Sequence, residues 1–327
     1  MTLPSVSLVI PVKDEEATVD VLLASISAQT RPVDEIVFVD SGSSDRTVAL
    51  LRNASLGSTP IRVIESGPGS PGKSRNIGIA AATNQWVALT DAGIELEPHW
   101  VEELVEVVLR NPDVDVVYGN YEPVVDTFFA RNAALVYVPA KQERAGGKMR
   151  GPSIASCLMR REVWQAVGGF PDLRAAEDLM FMEQVERRRF KIGWAPRATV
   201  WWQLRPSLLS TFRRFVLYSR HNVLAGRQKY WHYGIARQYV LALIVALVAL
   251  FSGMWWLLFA IPLGLLLRVF KSIWSRRETL SVLGLINPFR WVHVLIITLA
   301  IDLATFVGWI QAYLPAAARA PIKSQAD

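Results

Sequence analysis

Along the first 120 residues, short β-branched apolar runs alternate with segments whose apolar positions recur every three or four residues. The runs predict strands at 5–10, 35–40, 61–64, 86–90 and 114–118. The helical spacing predicts helices at 19–28, at 75–82, at 98–109, and from an Asp45 cap through Leu51. Strands alternating with helices imply an α/β fold with a mostly parallel sheet covered on both faces. Ligands of such sheets gather at the carboxyl ends of the strands, where Asp40 and Asp91 fall. The stretch 126–149 predicts a mixture of helix and mobile loop, with AGGK as its hinge. A strand at 154–159, a helix at 161–167, a GGFPD turn, a helix at 177–189 and a strand near 191–194 follow.

The pattern then changes, because 239–267 and 291–314 are almost uncharged. The segment 207–226 carries Leu and Phe on one face with Arg213, Arg214, Arg220 and Arg227 in or beside it. That suits an interfacial helix, or a surface helix of the globular part. The run 239–267 is long for one span of about 20 residues and short for two. Arg268, Lys271, Arg276, Arg277 and Arg290 lie between it and the last apolar segment. Positive residues favour the cytosolic side, which is satisfied if the chain folds back near Ser252-Gly253. Residues 291–314 read as a span despite Asp302, an acid that is either functional or packed in a helix interface.

Composition fits this division: 51% of the 327 residues are hydrophobic and the formal charge is +6. The excess Lys and Arg sit beside the apolar segments, which points to anionic lipid headgroups and not to nucleic acid. The N-terminus is not expected to be a signal peptide, since its apolar run is short and ends in charges. Cys157 is the single cysteine, so no intrachain disulfide forms, in keeping with a reducing, cytosolic setting. His99, His221, His232 and His293 are too scattered for a metal site, and Trp255, Trp256, Trp291 and Trp309 suit membrane-interface anchors.

Three stretches suggest chemistry. Asp40, at a strand end before SGSSD, suits a hydrogen bond to a base or ribose, or merely closes a turn. The stretch GSPGKSRNIG puts Lys73 and Arg75 at a helix start, where free N–H groups can hold a diphosphate, with Asp91 after the next strand. Glu177 and Asp178 open a further helix, where one carboxylate could cap the helix or accept a hydroxyl proton.

In order, IPVKDEE, VDSGSSDRT, SRNIGI, WVALTDAG, RREVWQAVGGF, AEDLMF and GWAPRATV resemble the motifs of glycosyltransferase family 2, over about 5–205. The resemblance implies a GT-A (Rossmann-like) fold followed by transmembrane helices, a nucleoside-diphosphate-sugar donor and inversion at the anomeric carbon. By position, Pro11 and Glu15 match the first nucleotide-contacting segment, and Asp40 the acid that holds the base. Arg75 matches the basic residue beside the diphosphate, Asp91 the first acid of the DxD motif, and Asp178, with Glu177 beside it, the catalytic base.

Two departures stand out. Gly93 replaces the second DxD acid, and Trp202 stands where many relatives carry a His before RPS. A Mg²⁺ or Mn²⁺ site is therefore expected to be weakened or absent, held through Asp91 and the donor's phosphates with Glu95 as a substitute. Lys73, Arg75 and the arginines at 187–189 are the cations expected to neutralise the leaving diphosphate. Processive relatives carry QxxRW where this chain has STFRR, which argues against polymer synthesis. Trp201 and Trp202 are expected on the acceptor side.

The expected organisation is a GT-A domain at 1–205, an interfacial region at 206–236, two or three spans in 237–314 and a polar tail at 315–327. The expected protein is an integral membrane, non-processive, inverting transferase acting at the cytosolic face on a lipid or lipid-linked saccharide of the cell envelope. Transfer to polyprenyl phosphate, as in dolichyl-phosphate mannose synthases, and a degenerate nucleotide-binding scaffold are the alternatives.

Overall fold

A computed structural model describes residues 3–314, so the tail expected at 315–327 lies outside the described residues. The first part of the chain runs β1 (Val6–Val12), α1 (Val19–Ser27), β2 (Glu35–Asp40), α2 (Thr47–Asn53), β3 (Ile61–Glu65), α3 (Pro71–Ala81), β4 (Trp86–Leu89), β5 (Ile94–Leu96), α4 (Trp100–Arg110) and β6 (Val116–Val124). Then come α5 (Phe128–Tyr137), β7 (Gln142–Arg144), β8 (Gly147–Met149), β9 (Cys157–Arg160), α6 (Arg161–Val167), α7 (Glu177–Arg187) and β10 (Ile192–Gln203). The remainder is helical: α8 (Leu208–Leu224), α9 (His232–Ser252), α10 (Ala260–Trp274), α11 (Val282–Ile286) and α12 (Pro288–Tyr313). The chain divides into two units, one ending at Val124 and resuming over Lys141–Gln203, the other made of Val125–Ala140 and the chain from Leu204 onward. Residues 125–140, left within the first domain by the sequence pattern, thus group with the helical unit.

In the first unit the main sheet has the order β3-β2-β1-β4-β9-β6-β10-β5. Four neighbouring pairs are parallel: β3 with β2, β2 with β1, β1 with β4, and β6 with β10. Strand β9 runs against both β4 and β6, which makes β6 run the same way as β4. As a result β1, β2, β4, β6 and β10 all deliver their carboxyl ends to one edge. Period-two alternation sends Leu8 and Ile10 to the face covered by α1 and α4, and Val9 to the face covered by α3, α6 and α7. Strand β2 is buried along its whole length, as a parallel strand covered on both sides must be.

Several elements differ from the sequence expectation. Helix α3 begins four residues early, at Pro71, because Ser70 caps it by accepting from the Lys73 N–H and Pro71 suits the first helical position. Strand β10 runs nine residues past Trp194, and its register against β6 slips between Ala195 and Thr199, around Pro196, where the apolar pattern breaks. The AGGK stretch is no hinge between elements but the turn of the β7–β8 hairpin.

In the second unit, Ser207 and Ser210 form a reciprocal cap for α8, which packs along α12. Among the described residues, three helices are long and apolar enough to cross a membrane: His232–Ser252, Trp255–Trp274 (α10 with the 3₁₀ turn before it) and Pro288–Tyr313. The chain reverses between the first two at Gly253, which has φ of 72°. Tyr239 and Arg268 lie thirteen residues to either side of the break between Ser252 and Trp255, and both donate to Asp302 of α12, at 2.8 and 2.6 Å. At about 1.5 Å per residue only an antiparallel pair of helices brings them to one level.

Candidate active site

The two opening motifs are knitted into one another. The Asp14 N–H donates to Ser43 Oγ at 2.9 Å, that of Glu15 to Thr47 Oγ1 at 2.8 Å, and that of Glu16 to the Asp45 carboxylate at 3.0 Å. Pro11 lies half-buried on β1, one strand from the turn after β2. In that turn, Asp40 accepts from the Gly42 N–H at 2.9 Å, the Ser43 N–H at 3.1 Å and Ser43 Oγ at 2.5 Å. This buried acid therefore closes its own turn, one of the two readings its sequence context allowed.

Behind this turn, the Oγ atoms of Ser41 and Ser74 lie 2.6 Å apart and join it to α3. Helix α3 lies close on β1 because residue 78 is Gly; a Cβ there would stand 2.4 Å from Val9 Cγ1. Asn76 holds the GGF segment: its Oδ1 accepts from Trp164 Nε1 and the Phe170 N–H, and its Nδ2 donates to the Phe170 carbonyl. Arg75 is 4% exposed and joins two acids, donating to Asp91 Oδ1 at 2.5 Å and to Glu177 Oε1 at 2.9 Å. It sits in the second turn of α3, not at its start, and both its charged contacts go to protein carboxylates. Lys73, exposed in the first turn, is the cation that faces solvent there. The arginines at 187–189 are exposed at the far end of α7, and Arg187 lies about 14 Å from Asp178 along the helix. They are not the cations of this site.

Glu177 and Asp178 open α7 directly after Ala176, whose backbone is left-handed with φ of 72°. Such strain in a non-glycine residue concentrates at functional sites. Glu177 is buried, and among the described residues its Oε2 has no hydrogen-bond partner. Asp178 is half-buried and accepts from the Leu179 N–H at 2.8 Å. Burial raises the pKa of both carboxyls, and the Arg75 charge opposes that rise. Asp91 adds repulsion at Asp178.

Gly93, in the place of the second DxD acid, has φ of 73°. A Cβ there would stand 3.3 Å from Glu15 Oε2 and 3.8 Å from Thr18 Oγ1. The carboxylate beside that position is thus Glu15, which also accepts from Thr18 Oγ1. Glu95, expected as a substitute, is instead exposed on β5 between buried Ile94 and Leu96, and alternation turns it away from their side. Among the described residues no three acids, histidines or cysteines gather as a metal-binding group. Two carboxylates belong to the surroundings of Gly93, Asp91 two residues before it in the chain and Glu15 across from it, and a cation that took them would need its remaining ligands from phosphate and water.

The two tryptophans part company. Trp201 is 37% exposed and its Nε1 donates to Glu97 at 3.1 Å. Trp202 pairs in register with Ile94, the residue after Gly93, and packs edge-on against Tyr121, with ring centroids 6.3 Å apart. Its Nε1 is buried and without a partner among the described residues. Burial pushes the Tyr121 hydroxyl pKa up to about 12, so that group stays protonated. Tyr121, and Asn120 and Glu122 beside it, escaped the sequence reading; the only signal was the polar NYEP run closing an apolar strand.

Residues 7–168 match the family described as glycosyl transferase family 2, and through this segment the chain belongs to that family. Glycosyltransferase AglE of Haloferax volcanii is 28% identical over 177 residues, 52% of this chain and 57% of that protein. The undecaprenyl-phosphate 4-deoxy-4-formamido-L-arabinose transferase of Aeromonas hydrophila is 28% identical over 160 residues, 47% of this chain and 48% of that protein. The chain thus spans about half the length of these curated relatives. The mannosyltransferase PcManGT of Pyrobaculum calidifontis, solved in complex with GDP-Man and Mn²⁺, shares the fold at a TM-score of 0.54. That match has 19% sequence identity and covers 93% of this chain and 88% of that one.

Proposed function

We propose that the protein is an inverting, non-processive glycosyltransferase that moves a sugar from a nucleoside-diphosphate-sugar to a lipid or lipid-linked saccharide at the cytosolic membrane face. The observation that carries this reading is Asp178, half-buried in the first turn of α7 with its pKa raised by burial. A carboxylate with a raised pKa is the stronger base for an acceptor hydroxyl. Glu177, held by Arg75, fixes the start of α7 from beneath and carries negative charge beside Asp178.

The turn built by Asp40 and the Glu15 loop seat the nucleotide, with Pro11 along the floor of the same strand end. Lys73 meets the diphosphate at the capped start of α3. Arg75 acts by orienting Asp91 and Glu177, since its charge is already committed to them. A divalent cation, when bound, would be held by Asp91 and Glu15 together with the diphosphate and would neutralise the leaving group; two carboxylates make that site weak. Trp202 lies on the acceptor side. Five residues after β10 ends, α8 begins the run of helices that includes the apolar ones, which suits a membrane-bound acceptor.

Asp178→Asn, assayed with donor and acceptor in detergent or lipid, is the test. Loss of a general base lowers the rate by about 10²–10⁴-fold. Near-normal transfer by this variant would overturn the hydroxyl-acceptor reading and support a polyprenyl-phosphate acceptor, whose nucleophile is already an anion. That second reading is favoured by the likeness to the undecaprenyl-phosphate transferase. Absence of any donor turnover by the wild-type protein would favour a nucleotide-binding scaffold.

A further inference from the structure

In the second unit a guanidinium is buried without a counter-charge. Arg290, in the first turn of α12, is 8% exposed. Its Nε donates to Asn132 Oδ1 of α5 at 3.1 Å, and its Nη1 to the Gly284 carbonyl of α11 at 2.6 Å. Asn132 is itself fully buried, and residue 284 suits this approach because it is Gly: a Cβ there would stand 2.5 Å from Nη1. These contacts fix the guanidinium but leave its charge unanswered, since both acceptors are neutral. Its Nη2 has no partner among the described residues and is not enclosed by them.

No carboxylate pairs with Arg290 among the described residues, and the neighbouring charge that acts on it is the like charge of Arg131. Arg131 precedes Asn132 on α5, is exposed, and has no ion pair among the described residues. Buried charges are ordinarily paired, and the first turn of a helix disfavours a cation while favouring an anion. Capping the last carbonyls of α11 accounts for one bond of the guanidinium, but not for a second cation beside it. The place is short of negative charge. It also adjoins apolar surface: Val282, Leu283 and Ile286 of α11 are 75%, 78% and 67% exposed, as is Phe289 at 73%. Leu285, by contrast, packs inward on the cluster of Leu135, Val269, Ile273 and Val294. An exposed apolar side next to cations, at the start of a membrane-length helix, is the pattern of an interfacial segment.

We propose that Arg290, with Arg131 beside it, binds the phosphate of an anionic phospholipid whose acyl chains cover the apolar side of α11. Two cations without an acid fit a headgroup of net negative charge; the ammonium of a zwitterionic headgroup would find no carboxylate to meet it there. The apolar side of α11 favours a phosphate that arrives with acyl chains over a free one.

The test is native mass spectrometry of the full-length protein in neutral detergent micelles doped with equal amounts of phosphatidylglycerol and phosphatidylcholine. Wild type should retain one phosphatidylglycerol in preference to phosphatidylcholine. Arg290→Gln and Gly284→Ala, which remove or displace the guanidinium, should each weaken that retention about tenfold. Arg131→Ala changes an exposed side chain that holds no contact of the fold, so it remains informative if the buried variants fail to fold; it should weaken retention about fivefold. Lys229→Ala should leave retention unchanged: it removes an exposed cation three residues before His232, whose ring packs on Trp309 near the other end of α12. Equal retention of the two lipids by wild type overturns the proposal, as does an equal effect of Arg131→Ala and Lys229→Ala. Displacement of the lipid by millimolar inorganic phosphate would make this a free-anion site, and displacement by polyprenyl phosphate at equal concentration would make it an acceptor-lipid site; either result overturns the phospholipid assignment.

Discussion

Replacing Arg75 by Met tests how the site is held together. The wild-type guanidinium, 4% exposed, neutralises Glu177, whose side chain is 7% exposed, and Asp91, which is 38% exposed. The Asp91 arm is open to water and contributes little. The Glu177 arm is buried, and removing one partner of a buried pair costs about 3–5 kcal/mol. For a unit of this size each kcal/mol is worth about 2–4 °C, so the transition of the first unit should fall by ~10 °C. The loss should depend on pH in a definite sense. The folded-state pKa values of Glu177 and Asp178 are already raised by burial, and without Arg75 they rise further. A group with a raised folded pKa favours the fold below its unfolded pKa and loses that contribution as pH rises through the folded one. The variant should therefore lie nearer to wild type at pH 5 than at pH 8. Arg75→Lys, which cannot bridge both acids, should fall between. Differential scanning fluorimetry of both variants across that range checks this. A deficit under 2 °C that ignores pH would refute the claim that Arg75 neutralises the buried Glu177 carboxylate.

Four further outcomes are expected. The acid limb of the kcat/KM profile should lie above the ordinary aspartate value of about 4, because Asp178 must lose a proton that burial makes it retain; a limb at or below that value would remove Asp178 from the base role. Gly93→Asp should lower activity and stability, since residue 93 is left-handed and the new carboxylate would meet Glu15; pairing it with Glu15→Gln should recover part of both, as read by transfer rate and melting temperature. Chelation should weaken donor binding by about tenfold without abolishing it, as for an ion that Asp91 and Glu15 alone would share with the donor's phosphates; calorimetry with and without Mn²⁺ decides, and donor binding abolished by chelation would count against it. Among the apolar helices, Arg268→Leu or Asp302→Leu alone should destabilise the protein in detergent, whereas the double variant should approach wild type.

The order of elements, the two carboxylate motifs and the membrane-length helices were legible in the sequence because each rests on local periodicity or on neighbours in the chain. Strand β2 ending at Asp40 and helix α7 opening at Glu177 are of that kind. What the sequence could not show depended on residues brought together from far apart. Arg75 looked like a cation awaiting a diphosphate until the fold placed Glu177, 102 residues away, against it. Glu95 was the next acid after Gly93 in the chain, yet alternation along β5 turned it outward while the Glu15 loop delivered the carboxylate. Tyr121 and Glu122 gave no signal beyond the polar NYEP run, since an aromatic and an acid at a strand end are unremarkable until Trp202, Lys141 and Arg150 arrive from three other segments. Periodicity reports which face a residue takes; only tertiary packing reports what stands opposite, because burial and charge pairing are settled between segments and not within them.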